Sequence, residues 1–235
     1  MAALLIGFMK AGFGGGVGML ATPLVVSVMP AKQAVGLMLP LLIATDIVAL
    51  THYWGKWSHR NVLTLLPGAF LGILLGGQLL GILPDLYLKK TIGGIACAFG
   101  LFGTYRNRFF QSGTTFKVRR SYGILAGLVT GIISTLAHIG GVITTMYLLP
   151  QGLSNRAFVG TATAVFFLIN LIKLGPYIQL GLLTGSNLQQ DLYLLPAVVI
   201  GALVGIWANQ RISRALFSKV VLVLVLATGV RLLIV

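Results

Sequence analysis

Acidic side chains and cysteine are almost missing from this 235-residue chain, which has three Asp or Glu residues and a single cysteine, Cys97. One cysteine excludes an intrachain disulfide. Three acids are too few for a metal centre built from carboxylates, and the sequence has neither a Cys/His cluster nor a P-loop pattern. We therefore expect no metal site and no cofactor.

Charged residues of both signs are rare, at 9% of the chain, whereas hydrophobic residues make up 57% and the mean hydropathy is +0.98. A soluble domain of this length could not keep so much apolar surface from water. The sequence predicts an all-α polytopic protein of the plasma or inner membrane. The net charge of +14 comes mostly from Lys and Arg between apolar runs. That pattern is typical of membrane topology and does not indicate a nucleic-acid partner.

A glycine-rich stretch near the start, residues 7–23, interrupts one of the most apolar parts of the sequence. It contains Gly14, Gly15 and Gly16 in succession, and each glycine costs a helix roughly 1 kcal/mol relative to alanine. We therefore predict two half-helices that meet at an irregular turn inside the membrane, buried in protein or lining a cavity. The N–H groups freed there favour an anion. The alternative is a close helix–helix contact, in which the glycines only let two backbones approach.

The sequence contains an internal repeat, because several landmarks occur in the same order in both halves. They are Gly15-Gly16 and Gly140-Gly141, Gly36-x9-Asp46 and Gly160-x9-Asn170, and Pro67-x4-Gly72-x3-Gly76 and Pro196-x4-Gly201-x3-Gly205. The four-residue glycine spacing also predicts tight helix contacts. We therefore divide the chain into a first transmembrane repeat over residues 1–105, a basic cytoplasmic linker over 106–120 and a second transmembrane repeat over 121–235.

Each repeat is predicted to hold one glycine-rich broken element and three spanning helices, about eight transmembrane segments in all. In the second repeat one span covers residues 157–175, and a loop follows over 176–191. If the broken elements cross the membrane fully, the Lys and Arg residues of the connections divide 9 to 7 between its sides. If they are re-entrant hairpins, the division is 11 to 5, with Lys10 left out of both counts. The second model fits the positive-inside rule better, and it makes the two repeats inverted. It places the linker in the cytoplasm and both termini outside, and eight full spans is the alternative.

The candidate substrate-binding residues lie at the two glycine-rich turns and in the span that follows the second turn. His138 is at the expected tip of the second hairpin, where an imidazole could donate a hydrogen bond, move a proton or simply bond a nearby carbonyl. Asp46 is the one acid that we place inside an apolar span, which makes it either the proton-coupling candidate or a structural acid bonded to another helix. The full predicted set is Gly14, Gly15, Gly16, His138, Gly140, Gly141, Thr161, Thr163 and Asn170.

The stretch Gly-Phe-Met-Lys-Ala-Gly-Phe-Gly-Gly-Gly at 7–16, together with Pro23, Ala-Val-Gly at 34–36 and the 67–76 pattern, resembles the TauE/SafE family of membrane permeases. The resemblance extends over almost the whole chain, with a looser match at the second turn, residues 137–141. It implies export or uptake of small sulfur-containing anions such as sulfite or sulfonates.

These observations together favour a secondary transporter that moves a small anion, a sulfur oxyanion or organosulfonate such as sulfite, by alternating access. Two alternatives stay open. One is a passive anion channel that uses the same turns, and the other is an intramembrane enzyme that uses Asp46 and His138. Without a nucleophile motif we do not expect an enzyme. The expected partners are a small anionic substrate, the lipid bilayer and further copies of the chain in a homo-oligomer.

Overall fold

The computed structural model describes residues 4, 6–8, 20–109, 119–209 and 214–234, and within these residues the fold is helical with no strand. The helices are α1 (Ala21–Val26), α2 (Ala31–His52), α3 (His59–Ile82), α4 (Asp85–Phe109), α5 (Arg120–Ala137), α6 (Gly141–Leu148), α7 (Asn155–Gln179), α8 (Gly185–Asn209) and α9 (Arg214–Ile234). A short 3₁₀ helix, Leu149–Gln151, joins α6 to α7. The all-α prediction is confirmed. Gly14, Gly15 and Gly16, the predicted tip of the first broken element, lie outside the described residues.

Five helical segments of the described chain are long and apolar enough to cross a membrane. They are α2, α3, α5, α7 and the part of α8 from Asp191 to Ala208. The shortest has 18 residues, and at about 1.5 Å per residue it covers roughly the 30 Å of a bilayer's hydrocarbon core. In contrast, α1 and α6 have 6 and 8 residues and are too short to cross. The fold is that of a polytopic membrane protein.

Two predicted boundaries in the second half of the chain are wrong. The sequence predicted a span over 157–175 and a loop over 176–191, but α7 continues through Pro176 to Gln179 and α8 begins at Gly185. Proline ends helices in soluble proteins, yet helices of membrane proteins tolerate it because neighbouring groups satisfy the freed carbonyl. The connection is therefore short, and Asp191, which was assigned to it, belongs to α8.

Helices α3 and α5 pack closely and run in the same direction. A Cβ atom added at Gly68 would overlap the carbonyl of Ile124, and one added at Gly72 would overlap the carbonyl of Leu128. The second contact is four residues further along both helices, so α3 and α5 are parallel. The prediction that these four-spaced glycines make a tight helix contact is confirmed.

The matching glycines of the second half make the same kind of contact with the start of the chain. A Cβ at Gly201 would overlap the carbonyl of Leu4, and one at Gly205 would overlap the carbonyl of Phe8. Helix α3 of the first half therefore packs in parallel on α5, the first helix of the second half, and α8 packs in parallel on the first residues of the chain.

Helices α4 and α9 pack in opposite directions. Gly93 lies beside Gly229, whereas Gly103, ten residues further along α4, lies beside Leu222. As the numbers rise on α4 they fall on α9, which makes this pair antiparallel.

Helix α7 runs parallel to α3. Near their first residues the backbone N–H of Ser58 donates to the Thr161 hydroxyl at 2.9 Å, and near their last residues Gly81 lies beside Leu180. Helices α3, α5 and α7 therefore all begin at the same end of the bundle. We call this the basic end, because Lys56, Arg60, Arg119, Arg120 and Arg156 lie there.

The second glycine-rich element is a helical hairpin. Helix α5 ends at His138, whose φ of 54° is left-handed, and α6 begins at Gly141. Helix α6 then returns beside α5, since the hydroxyls of Thr130 and Thr144 lie 3.3 Å apart. The predicted break and the predicted turn at His138 are confirmed. We call residues 138–141 the hairpin tip.

Candidate functional site

One face of α7 carries three polar side chains into the protein interior. Asn170, Lys173 and Tyr177 follow one another at spacings of three and four residues, which places them on the same side of a helix. All three are buried, and Lys173 and Tyr177 are 0% exposed. This face meets the hairpin tip and α2, so it brings two of the predicted site residues, His138 and Asn170, within one region.

Lys173 is bonded to the last turn of α5 and to the hairpin tip. Its Nζ donates to the carbonyl oxygen of Ser134 at 3.1 Å, to the Ser134 hydroxyl at 3.2 Å and to Nδ1 of His138 at 2.8 Å. The carbonyl end of a helix carries negative partial charge, which stabilises a cation placed there. Burial has removed the Lys173 amino group from bulk water, and these acceptors take the place of hydrogen bonds to water.

The hydrogen bonds of His138 define its tautomer. Nε2 lies 2.9 Å from the carbonyl oxygen of Val35, which can only accept, so Nε2 carries the hydrogen. Nδ1 therefore presents its lone pair, and it accepts from Lys173. The imidazole is neutral in this arrangement, and Lys173 is the donor of the pair.

Tyr177 closes the far side of the lysine pocket. Its hydroxyl donates to the carbonyl of Thr135 at 2.7 Å. Its ring packs edge-on against the ring of His138, with centroids 6.1 Å apart, and its centroid lies 5.9 Å from Nζ of Lys173. The aromatic face adds a weak attraction for the cation.

Asp46 and Asn170 form a buried pair between α2 and α7. The Asn170 amide donates to Oδ2 of Asp46 at 2.7 Å, and the two side chains are 1% and 2% exposed. The pair lies one helical turn from Lys173, because Asn170 precedes it by three residues on α7. The acid and the cation therefore lie in one polar region of an otherwise apolar core.

The tip also offers backbone N–H groups. Helix α6 begins at Gly141, and no side chain caps its first turn. The first N–H groups of a helix lack partners within it and carry positive partial charge. Gly140 has a packing role as well, since a Cβ there would lie 2.7 Å from the carbonyl oxygen of Thr130. The second turn therefore supports both predictions for the glycine-rich elements, which are an anion site made of backbone N–H groups and a close helix–helix contact.

The two predicted threonines of α7 lie away from the hairpin tip. Thr161 donates to the carbonyl of Ala157 at 2.6 Å and accepts from Ser58 at the basic end. It precedes Lys173 by twelve residues, about 18 Å along a helix. Thr163 is buried on the same face as Asn170, seven residues before it. The binding roles of Thr161 and Thr163 remain predictions.

Lys173 was missed by the sequence analysis, which counted it among the basic residues of the connections although it lies in the predicted span 157–175. The signal that could have found it is its spacing from Asn170 and Tyr177, which puts three polar residues on one face of a helix that is otherwise apolar. Asp191 was missed as well, because it was assigned to the end of the predicted loop over 176–191. Among the described residues no group of three His, Cys or acidic side chains lies close enough together to hold a metal.

A family model named Sulfite exporter TauE/SafE matches residues 1–232. The chain belongs to the TauE/SafE family. The predicted resemblance is confirmed over almost its full length. No curated protein and no solved structure matches the chain.

TauE/SafE proteins are membrane transporters, so this chain is a multi-pass membrane transport protein and not an enzyme. The alternative of an intramembrane enzyme using Asp46 and His138 is therefore wrong. In this TauE/SafE chain, Asp46 accepts from Asn170, and His138 bonds to Lys173 and Val35.

Proposed function

We propose that the chain is a secondary transporter for a small anion, a sulfur oxyanion or organosulfonate such as sulfite, and that the anion binds at the hairpin tip. The proposed ligands are the ammonium of Lys173, the imidazole of His138 and the N–H groups at the start of α6. Gly14, Gly15 and Gly16 of the first glycine-rich turn complete the predicted site from the opposite half.

The observation that carries this proposal is the buried cation at the tip. Lys173 is 0% exposed, and it bonds to a carbonyl, a hydroxyl and an imidazole at the hairpin tip. Ionisable residues inside membrane proteins commonly mark the substrate pathway. An oxyanion offers an ammonium group a full negative charge and charge-assisted hydrogen bonds, which are roughly twice as strong as neutral ones.

The helix directions support two inverted repeats. Helices α4 and α9 take corresponding places in the two halves and run antiparallel. Helix α3 packs on α5 of the second half, and α8 packs on the start of the first half. Repeats related in this way, with broken helices meeting at a central site, are a recurrent design for alternating access. In this arrangement the two glycine-rich turns approach the site from opposite sides of the membrane.

The position of the charges supports a cytoplasmic basic end. The second hairpin returns to the end from which it starts, and α7 starts there too, as the re-entrant arrangement requires. Lys173 is buried in a helix and is not part of a connection. Without it, the predicted number of Lys and Arg residues in the connections of the re-entrant arrangement is 11 at the basic end and 4 at the opposite end. The positive-inside rule assigns that end to the cytoplasm.

Anion binding to the purified protein tests the site. Thermal unfolding would be followed with sulfite, sulfate, thiosulfate, sulfoacetate and chloride, for the wild type, Lys173→Met and Lys173→Arg. Lys90→Met, which removes an exposed lysine of α4, is the matched control. A ligand present at 100 times its dissociation constant stabilises by about 2.7 kcal/mol. We expect one sulfur anion to stabilise the wild type and Lys90→Met, and to lose its effect in Lys173→Met.

Transport in proteoliposomes then distinguishes a carrier from a channel. A carrier that alternates access exchanges substrate, so unlabelled sulfite inside the vesicles should accelerate the entry of radiolabelled sulfite. A passive channel shows no such acceleration. Anion stabilisation that persists in Lys173→Met would reject the hairpin-tip site, and flux without exchange would reject alternating access.

A further inference from the structure

We propose that Asp191 is a proton-binding site, separate from the lysine pocket, and that its proton is exchanged during anion transport. The second half of this statement rests on the proposed function and the first does not. Asp191 is 3% exposed, and within the described part of the chain neither of its carboxylate oxygens has a hydrogen-bond partner.

Each of the other two acids of the chain has partners that suit a carboxylate. Asp85 accepts hydrogen bonds from the backbone N–H groups of Ala31 and Lys32, at 2.9 and 2.8 Å, where α2 begins. Asp46 accepts from the Asn170 amide. An ionised carboxylate buried without any such donor is strongly disfavoured, whereas the protonated acid is neutral and tolerates the site. The contrast singles out Asp191 as the acid that holds a proton.

Asp191 lies on the interior face of α8. Val198 and Ala202 follow it at spacings of seven and four residues, so all three share one side of the helix. A Cβ at Gly7 would lie 2.7 Å from the backbone nitrogen of Ala202, and Ala202 clusters with Ala49 of α2. Asp191 therefore lies on the face of α8 that packs against α2 and the first element, about 10 Å along the helix from Val198.

The described elements that pack against α8 bring no counter-charge to Asp191. Residues 4 and 6–8 are apolar. On α2, Lys32 donates through Nζ to the carbonyl of Gly81, Asp46 bonds to Asn170, and His52 is exposed at the basic end. In this environment Asp191 is neutralised by a proton on its carboxyl group.

The location of Asp191 gives its proton a direction. It is six residues into α8, on the side of the bundle opposite the basic end. In the proposed topology the first turns of α8 face the outside. We therefore expect Asp191 to exchange its proton with the outer compartment.

Infrared spectroscopy tests proton occupancy directly, because a protonated carboxyl group has a C=O stretch that is distinct from that of a carboxylate. A chain with only three acidic side chains makes the assignment simple. Spectra of purified protein in lipid nanodiscs at neutral pH would be compared for the wild type, Asp191→Asn, Asp46→Asn and Asp85→Asn. We expect a protonated-acid band in the wild type that is lost in Asp191→Asn and kept in the other two variants. Absence of the band from the wild type, or its loss in Asp46→Asn instead, would overturn the proposal.

Sulfite uptake into proteoliposomes tests the exchange. One coupled proton and a pH gradient of one unit allow up to about tenfold accumulation, since a factor of ten corresponds to about 1.4 kcal/mol. We expect Asp191→Asn to exchange sulfite while losing this accumulation, and Asp85→Asn to retain it. Equal accumulation by Asp191→Asn and the wild type would overturn the coupling. If the wild type moves no sulfite, the coupling fails together with the proposed function, but the infrared band still decides whether Asp191 holds a proton.

Discussion

Asp46 and Asn170 occupy matched positions in the two halves of the chain, ten residues after Gly36 and Gly160, and their side chains are bonded to each other at 2.7 Å. In an arrangement with two-fold symmetry, corresponding residues contact each other only where the two-fold axis passes between them. The pair therefore marks the place where α2 and α7 cross near the proposed axis. Its two members differ in one respect, since only Asp46 can ionise.

Removing the acceptor of this pair should destabilise the protein. Asp46→Leu leaves the buried Asn170 amide without its described acceptor, which costs about 1–3 kcal/mol, whereas Asp46→Asn keeps an oxygen in place. The exchanged pair Asp46→Asn with Asn170→Asp should restore the bond. Thermal unfolding in detergent would rank the variants, with Asp46→Leu the least stable. Equal stability of Asp46→Leu and Asp46→Asn would show that the hydrogen bond contributes nothing measurable.

The left-handed backbone at His138 should make its substitutions unequal. With φ at 54°, alanine is penalised by about 1–2 kcal/mol, while asparagine tolerates this conformation. Both variants remove the imidazole that accepts from Lys173. We therefore expect His138→Asn to unfold at a higher temperature than His138→Ala although both weaken anion binding. A His138→Ala protein as stable as His138→Asn would mean that the hairpin tip relaxes to another conformation.

The contact between α3 and α5 should be sensitive to a single methyl group. A Cβ at Gly72 would overlap the carbonyl of Leu128, whereas one at Gly94 would have no heavy atom within 4 Å. Gly72→Ala should cost about 1–3 kcal/mol through overpacking. Gly94→Ala should be neutral or stabilising by up to about 1 kcal/mol, because it removes a helical glycine. Comparable unfolding temperatures for the two variants would contradict the close approach of these helices.

Cysteine accessibility should separate the re-entrant arrangement from eight full spans. In a Cys97→Ser background, which lacks native cysteine, single cysteines at exposed Lys56, Asn155 and Thr184 would be labelled with a membrane-impermeant maleimide. The re-entrant arrangement places positions 56 and 155 in the cytoplasm and 184 outside. Labelling of intact cells at 184 alone is the expected result. Labelling at position 155 from outside would favour eight full spans.

The sequence predicted the helical fold, the glycine contacts of α3 and the turn at His138, because each depends on local chemistry. Four-spaced glycines define a groove on any helix, and a glycine-rich break cannot stay helical in an apolar environment. Charge placement was harder. Lipid-facing surfaces are as apolar as the core, so helices in this chain show little amphipathic periodicity, and Pro176 suggested an end that tertiary contacts override. Lys173 and Asp191 are buried ionisable residues near the two ends of the predicted loop. They were missed because their helices lack this periodicity and because Pro176 suggested an earlier helix end.

The reciprocal packing of α3 on α5, and of α8 on the start of the chain, binds each half to the first element of the other. The halves of the polypeptide are therefore not the independent mechanical parts of the molecule. A chain severed between residues 105 and 120 and produced as two polypeptides should still assemble, whereas either polypeptide alone would expose an unfilled glycine groove to lipid.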